Sequence, residues 1–153
     1  MRNLRYLLLT IAGLMFAGGT LNHDALQLLQ DPGGWEYIKM SIPESGFQTA
    51  HVCFDGTPHP NECSGNLTLR ADKTFVQQVR IKGQTVARHG RYELNGNQLA
   101  FYDELQTKDG PYSVDLNPQT KALVLSMPQI RIELELEREY KKAQANKAKA
   151  AGK

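Results

Sequence analysis

A chain of 153 residues is one domain's worth, and a hydrophobic content of 41% suffices for a core but not for a membrane-embedded body. All 16 acidic side chains fall within residues 20–140 beside only 11 basic ones, while five lysines follow Tyr140 without an acidic neighbour. An acidic body with a basic tail argues against a nucleic-acid-binding domain, which would present a basic face with interleaved aromatics.

The chain opens with Arg2 and Arg5, an apolar run from Tyr6 to Ala17, and the small residues Ala17-Gly18-Gly19. These have the three-part form of a secretory signal over residues 1–19, with cleavage expected near Gly19. No Cys follows the run, so a lipoprotein anchor is not expected. An uncleaved anchor is the alternative, although the run is shorter than the roughly 20 residues a spanning helix needs; a buried core helix explains the basic start poorly. A periplasmic or secreted location follows from the signal reading, with no stable membrane span after cleavage.

Residues 20–33 read as a short helix or linker. Leu21, Ala25, Leu26, Leu28 and Leu29 have amphipathic spacing that stops before Asp31-Pro32-Gly33-Gly34. The body, residues 34–138, opens with Trp35, Tyr37 and the stretch Ile38 to Ile42, a strand that ends at Pro43. Trp35, the only tryptophan, is expected to anchor one end of a sheet, with ligand stacking as its alternative role.

The alternation is lost between Phe47 and Gly65. There, Cys53 and Cys63 bracket a loop of turn formers, and an even cysteine count in an exported chain favours a disulfide between them. Such a bridge would stabilise the fold by roughly 3 kcal/mol in the chain-entropy account. His51 and His59 with the two cysteines supply ligand types for zinc, but their spacing matches no common zinc module.

From Gly65 to Tyr102 the sequence spells consecutive hairpins. Leu67 and Leu69 alternate with polar residues, Ala71-Asp72-Lys73 supplies a turn, and Phe75, Gln77, Val79 and Ile81 then share one face. Gly83-Gln84 turns the chain again, Tyr92 and Leu94 follow in phase, Asn95-Gly96 forms a tight hairpin, and Leu99 and Phe101 resume the pattern. Asp103 to Gly110 reads as a polar connection ending at Gly110-Pro111. Strands follow over Tyr112 to Leu116 and Lys121 to Met127, and the last, Ile130 to Glu137, sets Ile130, Ile132, Leu134 and Leu136 against Arg131, Glu133, Glu135 and Glu137. Residues 139–153 form a basic Lys/Ala-rich tail with helix propensity but no apolar stripe, expected to be a frayed helix or disordered.

The fold class is therefore all-β, an antiparallel meander of about eight strands forming a barrel or curved sheet. The order Gly34-Trp35, then Gly65-Asn66-Leu67-Thr68-Leu69 with Asp72 and Thr74-Phe75, then Gly90-x-Tyr92-x-Leu94-x-Gly96-Asn97-x-Leu99 resembles bacterial exported lipocalin-like domains across about residues 34–138. That resemblance implies a calyx for a small apolar molecule; it assigns no ligand-binding residue and no cofactor. The inward-facing residues themselves nominate Phe75, Gln77, Val79, Ile81, Tyr92, Leu94, Leu99 and Phe101, with Trp35, as candidate ligand contacts, Gln77 being the sole hint of an interior polar group.

No nucleophile elbow, phosphate-binding glycine loop, His-Glu-x-x-His or Cys-x-x-Cys occurs, so the expected role is not enzymatic, and no metal or cofactor is expected. His89 reads as a half-exposed strand histidine, and Asp103-Glu104 as solvated acids. Two functional expectations follow: an exported protein that binds a small hydrophobic molecule, or an envelope protein-interaction module, an inhibitor or assembly factor, acting through the Cys53 to Cys63 loop.

Overall fold

The computed structural model describes residues 20–42, 50–55, 64–81 and 83–152. The helix α1 (His23–Leu29) leads into strands β1 (Trp35–Ile42), β2 (Ala50–Asp55), β3 (Ser64–Leu69), β4 (Thr74–Ile81), β5 (Gln84–Asn95), β6 (Gln98–Asp103), β7 (Lys108–Asn117), β8 (Ala122–Met127) and β9 (Ile130–Leu136), and helix α2 (Glu137–Ala151) ends the chain. Every neighbouring pair is antiparallel, and β1 also pairs with β9 from Trp35↔Leu136 to Ser41↔Arg131, which closes the sheet into a barrel. A strand has two edges. One edge of β1 is taken by β9, so β3 (Trp35↔Leu67) and β2 (Ser41↔His51) share the other, one after the other. The two segments occupy one place in the ring, giving eight positions in the barrel.

The period-2 pattern decides which side chains turn inward. Trp35, Leu67, Leu69, Leu99, Leu123 and Leu136 are 0% exposed, and Phe75, Tyr92, Leu125 and Leu134 are within 2% of that. Phe75 meets Phe101 edge-on at 4.9 Å between centroids, and Phe101 meets Tyr112 at 6.0 Å. Glycine admits close approach at two points. A Cβ on Gly65 would stand 2.8 Å from the Tyr37 ring, and one on Gly90, at φ +156°, would stand 2.0 Å from the Tyr102 carbonyl oxygen.

Two strands differ from the sequence expectation. β2 lies where the sequence loses its alternation and a loop is expected to open at Cys53; pairing with β1 (Lys39↔Asp55, Ser41↔His51) holds this segment extended without an alternating pattern of its own. β7 begins at Lys108 and runs through Gly110-Pro111, a cis peptide, where the breaker residues suggested a connection. The pairing of β6 with β7 shifts between Leu99 and Phe101, and a bulge is where a strand tolerates proline's missing N–H. The tail, expected to be a frayed helix or disordered, is the helix α2. Its first turns carry the Glu137–Lys141 and Glu139–Lys142 pairs, and Arg138 reaches back to Asp31 at 2.9 Å.

Candidate functional site

One end of the barrel is closed by α1. Asn22 caps the helix by accepting from the Ala25 N–H at 2.8 Å, and Leu29 at its last turn is wholly buried in the core, with Leu21 and Leu28 packed beside it. The Trp35 indole N–H donates to the Leu29 carbonyl at 3.0 Å, Gln30 donates to the Tyr92 hydroxyl at 2.6 Å, and that hydroxyl donates to the Arg70 carbonyl at 2.7 Å. Trp35 is thus the anchor the sequence suggested, and it works through its polar edge as well as its bulk.

Towards the end that carries the 104–107 and 128–129 connections, the interior becomes polar. Gln77 on β4 donates to the Tyr37 hydroxyl on β1 at 2.5 Å. Its carbonyl oxygen accepts from Arg88 on β5 at 3.4 Å. Arg88 spans the inner side of β6 to pair with Asp109 on β7 at 2.7 Å, and Asp109 accepts from the Tyr112 hydroxyl at 2.7 Å. Burial, foremost, pushes the Tyr37 hydroxyl up to about 12. Tyr112 is pushed up further, by burial first and then by its bond to the Asp109 carboxylate. Both tyrosines therefore stay neutral through the physiological range, Tyr112 as a donor to Asp109 and Tyr37 as the acceptor of the Gln77 amide.

Arg88 and Asp109 remain 28% and 27% exposed, so this charged pair is in reach of solvent at the barrel mouth. Nη1 of the guanidinium carries both of its bonds, leaving its other nitrogens without a protein acceptor among the described residues. Met40, Met127 and Ile130, all partly buried against the core, bring apolar surface to the same end. The arrangement offers fixed donors, one carboxylate acceptor and a flexible apolar rim.

Of the residues nominated from sequence, Trp35, Phe75, Val79, Tyr92, Leu99 and Phe101 fill the interior and Leu94 packs against them. Gln77 alone among them belongs to the polar network. The side chain of Ile81 lies outside the described residues, as do those of His51 and Cys53, the residues His59 and Cys63, and the signal segment 1–19. Tyr37, Arg88, Asp109 and Tyr112 were not nominated. Arg88 keeps phase with Tyr92 and Leu94, a signal for an inward side chain, but Gly90 stands between them and a charged residue reads by default as outward. His89 is exposed and meets Glu104 at 2.6 Å, while Asp103 accepts from the Leu105 and Thr107 N–H groups of its own turn.

The chain matches no protein-family model, no curated protein and no solved structure. The architecture is a closed eight-position antiparallel barrel, lipocalin-like at that coarse level. Among the described residues no helix is long and apolar enough to cross a membrane, and no cluster of three metal-ligating side chains occurs.

Proposed function

We propose that this protein is an exported binding protein whose barrel takes a small, largely apolar molecule with a polar head at its mouth. The observation that carries the reading is the interior network Tyr37–Gln77–Arg88–Asp109–Tyr112, set at one end of a barrel whose other end is sealed by α1. A core of packed leucines and aromatics leaves the closed half no room, which favours a shallow seat over a deep calyx. A head group with both an acceptor and a donor would engage the spare guanidinium nitrogens and the Asp109 carboxylate, its apolar part resting on Met40, Met127 and Ile130. The basic, apolar and small-residue run over residues 2–19 supports the export part of this reading.

Native mass spectrometry of protein purified gently from its own envelope fraction tests this. A small molecule retained by the wild type and lost from Arg88→Gln is the expected result. A small molecule held equally by Arg88→Gln, or a protein partner in place of any small molecule, would overturn the mouth as the seat.

A further inference from the structure

On the outer face of the barrel, apart from the interior network, Lys73, Arg91, Tyr92, Glu93, Tyr102 and Gln106 line a cleft of about 320 Å³. Cross-strand register builds it. Arg91 lies opposite Tyr102, which lies opposite Lys108, so a tyrosine ring sits between two cationic neighbours. The Lys108 ammonium stands 5.9 Å from the Tyr102 ring centre and the Lys73 ammonium 5.3 Å from that of Tyr92. Among the described residues, Lys73, Arg91 and Lys108 have no ion-pair partner. The acids nearby have local partners: Asp72 the Thr74 N–H and hydroxyl, Asp103 its own turn, Glu104 His89, and Glu93, in the cleft itself, the Tyr102 hydroxyl. The lining itself carries Lys73 and Arg91 against Glu93, one more cation than acid, with the Lys108 ammonium beside the Tyr102 ring.

The backbone points to the same cleft. Only three non-glycine residues among those described have a left-handed φ, and two of them, Lys73 at 67° and Gln106 at 60°, line it. Glycine or asparagine would adopt those turns more readily. The positions instead carry long side chains with a cationic and an amide end, at some conformational cost.

We propose that this cleft binds an anionic sugar unit, a monosaccharide bearing a carboxylate or a phosphate. Its volume lies at the small end of ligand clefts, suited to a single ring. Lys73 and Arg91 would take the anionic group through charge-assisted hydrogen bonds. Glu93, which accepts from the Tyr102 hydroxyl at 3.2 Å, and the Gln106 amide would take ring hydroxyls, and Tyr102 supplies an apolar edge for the sugar's C–H groups.

The test is a nitrogen-15 NMR titration of the full chain with glucuronate and with glucose 6-phosphate, using glucose and inorganic phosphate as controls. Saturable shifts at Arg91, Tyr102 and Lys108 are expected for at least one anionic sugar, at least about fivefold tighter than for either control. Whichever anionic sugar binds better identifies the group as carboxylate or phosphate. Arg91→Gln should weaken binding about tenfold. Lys73→Gly, which relieves the left-handed backbone, should weaken it several-fold while leaving Tm unchanged or higher. Glucose or inorganic phosphate binding as tightly as the anionic sugars would overturn the proposal, as would Lys73→Gly binding unchanged, or no saturable shift up to about 20 mM, a concentration that reveals even weak ligands.

Discussion

Replacing Glu36 by Gln should stabilise the protein at pH 8 and leave it almost unchanged at pH 5. Glu36 points out from β1, opposite Glu135 on β9 and Asn66 on β3, and shares an outer cleft with Arg80. The first turn of α2 brings Glu137 towards it, with Lys141, paired to Glu137, opposing. Burial first, and then Glu137, push the Glu36 carboxyl from 4.5 up to about 7. Between those values the folded protein binds more protons than the unfolded chain, so stability falls as pH rises through the window and levels off above it. Linkage at full weight gives about 3 kcal/mol, and the half-exposed setting of Glu36 reduces this to about 1–2 kcal/mol. Glu36→Gln cannot ionise, so its advantage over the wild type should open between pH 5 and pH 7.5 and reach about 1–2 kcal/mol, or about 2–5 °C in Tm. Urea unfolding followed by the fluorescence of Trp35, the single tryptophan and fully buried, reads the difference. A variant less stable than wild type at pH 8, or an advantage of the same size at pH 5, would refute the reasoning.

The close packing makes further predictions. Gly65→Ala would drive a methyl to 2.8 Å from the Tyr37 ring and should cost about 1–3 kcal/mol, seen as a lower urea midpoint with an unchanged m-value. Trp35→Phe removes the bond to the Leu29 carbonyl and leaves a void, so a loss of about 2–4 kcal/mol in chemical unfolding, followed by far-UV circular dichroism, is expected. Tyr92→Phe deletes the hydroxyl that links Gln30 to the Arg70 carbonyl; it should cost about 1–2 kcal/mol and speed hydrogen exchange in α1 ahead of the strands. Arg88→Met leaves Asp109 with only the Tyr112 hydroxyl as a partner among the described residues and should cost about 1–2 kcal/mol, with a double-mutant cycle against Asp109→Asn recovering a coupling near 1 kcal/mol.

Most strands were legible because each carries its own signal. The alternation from Ile130 to Leu136 and the Asn95-Gly96 turn depend only on neighbours in sequence, and the barrel reproduces both. Where a local signal misled, a nonlocal contact had overridden it. Pro111 sits in a strand because a bulge against β6 spares its missing N–H, and residues 50–55 form β2 through pairing with β1, where their own sequence shows no alternation.

The polar site was the least legible part, with Gln77 as its single clue. Arg88 reads as a surface residue until Asp109, 21 positions away, is brought to its guanidinium, and Tyr37 reads as one more core aromatic until Gln77, 40 positions away, reaches its hydroxyl. Alternation along the chain therefore determined most of the strands, their inward faces and the all-β meander class, since one buried and one wet face is a local property of each strand. Closure through the pairing of β1 with β9, the sealing of one end by α1, and the meeting of five polar groups inside the other were decided by tertiary structure, because each depends on contacts between residues far apart in the chain.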